Sequence, residues 1–329
     1  MERWYSKRYY PALQAALTAS SNALAPALFD GAIIIFIAVL IGGWGWWIRC
    51  ARKQRSFRPI GRGVIGTLTL ASIMYLWFLA AWGLNYARPP LESVLAFDRS
   101  RITPLAVRAL AERAVGEANR THAAAHAAGF PAIVEMPAPL AAALHAVERE
   151  LGRPRPTVLA QPKRSLLSPF FRAAGVSGML GPFFLETLLN PDLTGPERPS
   201  VLAHEWAHLA GYASEADASY VGFLAAVRAD PASQYSAWLD LVSEAASQLQ
   251  PITQRLVLEQ LAAGPRADQE AIRERLKALV KPVEQVAWTT YDRMLKSQGV
   301  EDGVQSYSRV VQLILGTNAV LVTPLSGTP

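Results

Sequence analysis

His204, Glu205 and His208 lie in the run Ser200-Val-Leu-Ala-His-Glu-Trp-Ala-His-Leu-Ala-Gly211, which contains the pattern H-E-x-x-H. On a helix, residues four apart lie on one face about one turn apart, so two imidazoles at this spacing can bind one metal ion. Glu205, beside the first imidazole, points into the same cleft, where it can hold a metal-bound water and take its proton. This is the chemistry of zinc-dependent peptide hydrolysis. The same pattern also arises by chance, in which case the two histidines are a satisfied structural pair. The local context favours the metal. Ser200 after Pro199 reads as an N-cap and Gly211 as a helix stop. Val201, Leu202, Trp206 and Leu209 give the helix enough apolar surface to be buried, and buried imidazoles need partners.

A zinc hydrolase usually takes three protein ligands and keeps a fourth position for water. After Gly211 the chain opens a second apolar-periodic segment with Ser214-Glu-Ala-Asp217 at its head. Ser214 reads as its N-cap, and Asp217, three residues on, occupies the acidic position of a capping box. Glu215 has no such structural duty and is the expected third ligand, with Asp217 as the rival.

Other polar candidates read more plainly. His122 and His126 are also four apart, but no acid stands beside them and their segment is Ala-rich, so they belong to a solvated or lightly packed helix face. His145 reads as a surface residue.

Two stretches are long and free of charge: residues 31–48 (18 residues) and 64–84 (21 residues). About 20 apolar residues cross about 30 Å of hydrocarbon, so both are expected to span a lipid bilayer. Trp44, Trp46 and Trp47 near one end, and Trp82 and Tyr86 near the other, resemble interfacial belts. Arg49, Arg52, Lys53, Arg55, Arg58 and Arg62 crowd the loop between them without an acid, which predicts a cytoplasmic loop and an outer location for both flanking regions. Without these six cations the 32 Lys and Arg fall to 26, equal to the 26 Asp and Glu. The net charge of +6 is therefore a topology signal and does not argue for nucleic acid. The first residues lack the apolar core of a signal peptide. Either the helical pair inserts as a unit, or a further span precedes it. The single Cys50 offers no disulfide within the chain, so the outer part must rely on an apolar core.

The expected organisation is a membrane region over 1–88 and an outer domain over 89–329. Helices are predicted at 104–129, 138–151, 233–249, 251–263, 267–280, 283–297 and 303–315. Between them, a β-like run at 157–160 and a Gly- and Pro-punctuated run at 176–185 predict two short strands beside the metal helix. Such a strand can hold an extended substrate by its backbone, or serve as structure alone.

The chain resembles a bacterial membrane family, domain-of-unknown-function family 3810, from about residue 3 to 315. The resemblance rests on Trp82-Gly-Leu-Asn-Tyr-Ala-Arg-Pro-Pro-Leu91, Ser177-Gly-Met-Leu-Gly-Pro-Phe-Phe-Leu-Glu186, Ala203-His-Glu-Trp-Ala-His-Leu-Ala-Gly-Tyr-Ala-Ser-Glu-Ala-Asp-Ala218, Gln234-Tyr-Ser236 and Leu295-Lys-Ser-Gln-Gly-Val-Glu-Asp-Gly-Val-Gln-Ser-Tyr307. It implies a zincin-like metallopeptidase with Glu215 matching the glutamate ligand. Ser219 stands where the family usually has Asn, and Asp217 where it has Glu. The family typically begins with one more apolar span. Glu186 could line the cleft, orient a histidine or form an ion pair. Tyr235 and Tyr307 are candidates to stabilise an oxyanion, or are packed aromatics.

The resulting expectation is a mainly α protein of the bacterial inner membrane. Two transmembrane helices precede a mostly helical zincin-like domain with a small β-hairpin or sheet. His204, His208 and Glu215 would hold Zn2+, with Glu205 as the catalytic base, acting on a peptide or protein near the membrane. The alternatives are a zinc amidase acting on cell-wall peptides, and a non-enzymatic scaffold with a structural metal.

Overall fold

The computed structural model describes residues 4–153, 155–300 and 309–317. The chain is mainly helical. A π-turn at Tyr5–Tyr9 leads into α1 (Tyr10–Asn22), followed by α2 (Leu28–Gln54), α3 (Arg58–Ala81) and the short α4 (Leu91–Val94). Then come α5 (Pro104–Ala128), α6 (Ala138–Glu150), α7 (Ser168–Ala174), β1 (Gly178–Gly181) and β2 (Glu186–Leu189). The remainder is α8 (Arg198–Leu209), α9 (Glu215–Ala226), α10 (Pro231–Ser247), α11 (Pro251–Leu258), α12 (Ala263–Leu276), α13 (Lys281–Ser297) and α14 (Arg309–Thr317).

Two helices, α2 and α3, are long and apolar enough to cross a membrane. They bury almost nothing in the protein: α2 buries no residue, and α3 only Pro59, Gly63 and Ala81. They pack on each other through Trp47, whose ring lies so close to Gly63 that a Cβ there would come within 2.7 Å of it.

The rest folds around α9, which buries every residue except Ser219. A helix apolar on all sides needs neighbours on all sides. Here α8, α6, α14 and α10 supply them, and α5 packs along α10. The backbones of α9 and α8 approach closely at Gly222, where a Cβ would lie 2.9 Å from the backbone nitrogen of His204.

The predicted helices form with shifted ends; of the one at 303–315, residues 303–308 lie outside the described residues and 309–315 are helical. The strand at 157–160 does not form. Its backbone is bound by side chains instead: Gln14 Nε2 donates to Val158 O (2.7 Å), Asn22 Nδ2 to Leu159 O (2.9 Å) and Trp206 Nε1 to Ala160 O (2.9 Å). The second strand is 186–189, whose four residues are all buried and carry no alternating pattern. It pairs antiparallel with β1, with Gly178 opposite Leu189 and Gly181 opposite Glu186. Nor does Ser200 cap α8. The capping box lies one turn earlier, where Thr194 N and Oγ1 both donate to Glu197 Oε2 at 2.9 Å. Gly211 does end α8, at φ +87°.

Glu186 is the joint between the apolar helix pair and the body. Its carboxylate accepts from the backbone N–H groups of Leu28 and Phe29 (2.9 Å each), the first turn of α2, where the helix dipole favours an anion. Lys163 Nζ (2.9 Å) and Ser21 Oγ (2.7 Å) complete its shell. Burial alone would raise its pKa, but the bonds from Lys163, Ser21, Leu28 and Phe29 hold it below the ordinary carboxylate value. Of the roles open to Glu186, the ion pair is the one found, and it lies away from the histidines.

Lys163 is 4% exposed and Glu186 fully buried, so removing one charge strands the other. Glu186→Gln is expected to lose about 3–5 kcal/mol of stability near neutral pH. A carboxylate with a lowered folded pKa stabilises above its unfolded value and loses that contribution as pH falls through the folded one. The gap between wild type and Glu186→Gln in thermal unfolding in detergent should therefore close as the pH falls below the ordinary carboxylate value of 4.5 and through the lower folded one. A constant gap would refute the electrostatic account.

Candidate metal centre

α8 carries His204 and His208 on one face, and the turn at Gly211 reverses the chain so that α9 begins with Glu215 directly against them. Glu215 Oε2 lies 3.1 Å from His204 Nε2 and 3.3 Å from His208 Nε2. The three potential ligand atoms all lie within 4.8 Å of one another. Glu215 is buried, and Tyr291 from α13 donates its hydroxyl to Oε1. Burial would raise the Glu215 pKa, yet the two imidazoles hold it well below the ordinary value. Burial likewise would lower His208, but Glu215 and Glu205 outweigh it and lift His208 to about 9.

The outer nitrogens of both rings are engaged. His208 Nδ1 lies 2.8 Å from the carbonyl of Tyr212, an arrangement that directs Nδ1–H to the carbonyl and Nε2 to the site. His204 Nδ1 bonds the hydroxyl of Ser219 at 3.1 Å. Ser219 thus supports the first histidine. Trp82 closes one side, edge-on to the His208 ring at 6.1 Å.

Glu205 is buried behind the pair. Gly178 of β1 packs so closely on it that a Cβ would lie 2.7 Å from Oε1. Among the described residues, Glu205 Oε2 has no hydrogen-bond partner. Burial raises its pKa, against the lowering effect of the two histidines and an N–H bond from Leu180. Asn190 N donates to Ser177 O (2.9 Å), which fixes the hairpin's alternation: the peptide groups of Gly178 and Leu180 point away from β2.

These groups line one cavity of about 520 Å³. Its walls include Phe78 near the end of α3, Trp82 and Tyr86 just after it, the strand β1, and Trp288 and Tyr291 of α13. Asp240 and Glu244, one turn apart on α10, also face it, and burial pushes them up to about 6 and about 7. Neither was legible as a site residue, because an acid on an amphipathic helix reads as a solvated face. Tyr291 was missed for the same reason: nothing in its local spacing ties it to a glutamate 76 residues away.

The other candidates fall elsewhere. Asp217 turns from the histidines and accepts from the backbone N–H of Leu91 (3.2 Å), while Ser214 caps α9 as expected. Tyr235 does not reach this cavity; its hydroxyl donates to Asp268 on α12. His122 and His126 lie on a lightly packed, partly exposed face of α5, as expected, and both approach Asp268, which local spacing did not announce. His145 is half-buried, with Nε2 3.0 Å from Thr157 O. Tyr307 lies outside the described residues.

The Ser219 contact can be tested directly. Ser219→Ala removes the partner of His204 Nδ1 without touching a potential ligand atom. It is expected to weaken zinc binding about 10- to 100-fold with little change in metal-free melting temperature. Unchanged affinity would show that the hydroxyl does not orient the ring.

No curated protein and no solved structure matches the chain. A sequence profile of the family described as Protein of unknown function (DUF3810) matches residues 5–315, and the chain belongs to that family.

Proposed function

We propose that the chain is a membrane-anchored zinc metallopeptidase in which His204, His208 and Glu215 hold Zn2+ and Glu205 is the general base. The observation that carries this reading is the convergence of two imidazoles and one carboxylate in a cavity where Glu205 is buried with one oxygen unpartnered. Two nitrogens and one carboxylate oxygen suit zinc and leave a coordination position open, as hydrolytic sites require. Zinc, when bound, supplies a Lewis acid that polarises the peptide carbonyl.

The chain's own residues do the rest. Glu205 accepts a proton from the attacking water and returns it to the leaving amine. Tyr291 holds the Glu215 carboxylate, and Tyr212 and Ser219 hold the rings. The outward peptide groups of Gly178 and the carbonyl of Leu180 can pair with an extended substrate backbone, whatever its side chains.

In this reading α2 and α3 cross the bacterial inner membrane. Their cationic connection lies in the cytoplasm and the rest of the chain outside it. With Phe78, Trp82 and Tyr86 in the cavity wall, the substrate is a peptide or protein held close to the bilayer surface.

Two measurements test this. Zinc content by elemental analysis should be retained in Glu205→Gln and lost from the centre in His204→Ala and Glu215→Ala. Peptide hydrolysis by Glu205→Gln should fall by at least about 100-fold. Zinc bound without any dependence of hydrolysis on Glu205 would turn the centre into a structural one. For topology, Cys50 sits at the cationic end of α2. A membrane-impermeant maleimide should label it only after spheroplasts are permeabilised, and should label an Ile252→Cys variant in intact ones. The reverse pattern would invert the orientation.

A further inference from the structure

A second cluster has the construction of the first. His122 and His126 are one turn apart on α5, with ring centroids 4.2 Å apart. Asp268, from α12, brings Oδ2 to 2.9 Å from His126 Nε2 and 3.5 Å from His122 Nε2. The ligand atoms again lie within 4.8 Å of one another. A tyrosine again supports the carboxylate, since the buried Tyr235 donates its hydroxyl to Asp268 Oδ2 at 2.5 Å. None of these four residues lines the cavity of the first centre.

The approach of α12 to α5 is built in. Asn119 on α5 accepts from Ala262 N (2.8 Å) and donates to Gln260 O (2.9 Å), which clamps the turn before α12 one helical turn from His122. Gly264 then passes so close to His122 that a Cβ would lie 2.4 Å from its ring. Only a glycine lets α12 come near enough for Asp268 to meet both imidazoles.

We propose that His122, His126 and Asp268 form a second divalent-metal site, for zinc, that fastens α12 to α5. Two imidazoles and a carboxylate are a donor set for borderline ions such as zinc. The side chains are partly exposed, His126 by 42% and Asp268 by 15%, so an ion can enter from solvent and complete its shell with water. The role is structural. Ala123 occupies the position that Glu205 holds beside the first histidine of the other pair, so no base stands next to the metal. The clamp acts on the helix that leads into α13, which carries Tyr291 to the first centre.

The test uses the full-length protein in detergent, with Zn2+ as the probe after chelator treatment. Wild type should bind two zinc ions per chain. Asp268→Asn and His126→Ala should each bind one, the His204→Ala/His208→Ala double variant one, and the combined variant none. Zinc should raise the melting temperature of the His204→Ala/His208→Ala protein and lose that effect when Asp268→Asn is added. Circular dichroism of the metal-free variants controls for folding, and Asp268→Asn keeps the side-chain volume should His126→Ala disturb the packing. Full wild-type stoichiometry in folded Asp268→Asn and His126→Ala would overturn the proposal. So would a single wild-type zinc lost only with His204 and His208, an outcome that leaves the peptidase reading intact. A single zinc lost only with His126 or Asp268 would uphold this site and overturn the other.

Discussion

Glu215 is a carboxylate buried to 1% exposure, and such a charge is tolerated only where opposite charge and hydrogen bonds replace water. His204, His208 and Tyr291 provide that replacement, from two helices otherwise remote from one another in sequence. The arrangement requires α9 to lie against α8, and it does so where Gly222 leaves room for the backbone of His204. Around α9, buried on nearly every side, the remaining helices find their positions. The His204, His208 and Glu215 cluster and the centre of the apolar core are therefore one construction.

The same logic fastens the apolar helix pair. α2 and α3 have little to pack against, so burial cannot fix their direction. Polar contacts at the base of α2 do it instead: Glu186 and Asp30, the latter accepting from Leu166 N at 2.8 Å, bind the start of the helix to the segment before α7 and to β2. Trp77 of α3 donates to Phe183 O (3.1 Å) in the turn of the hairpin whose first strand covers Glu205. The hairpin thus touches both the apolar helices and the candidate base, which explains why a four-residue strand pair persists in an otherwise helical chain. Two-stranded hairpins are marginal alone and need such support.

The two histidine pairs differ in a way that chemistry makes intelligible. Both use imidazoles one turn apart, a carboxylate from another helix and a tyrosine hydroxyl. One has a glutamate beside the first histidine and lines a cavity that reaches the end of α3; the other has an alanine there and lies partly open at the surface. The two clusters thus share an arrangement of side chains and differ in whether a neighbouring glutamate and a cavity accompany it.

From the sequence alone, local spacing determined a great deal. Four-residue spacing put His204 and His208 on one face, Gly211 ended α8, Ser214 capped α9, and charge-free length marked α2 and α3 as able to cross a membrane. These are properties of consecutive residues, set by helix pitch, capping and hydrophobicity. Glu215 was readable for the same reason, because it follows the histidines after one turn. What local pattern could not decide was every contact made across long separations. Tyr291 on Glu215, Asp268 on His122 and His126, Glu186 at the start of α2 and the side chains that hold residues 157–160 in place of a strand all depend on how helices pack. Packing is governed by shape at close approach, such as the missing side chains of Gly222 and Gly264, and a glycine inside a helix declares nothing in sequence about which neighbour it admits.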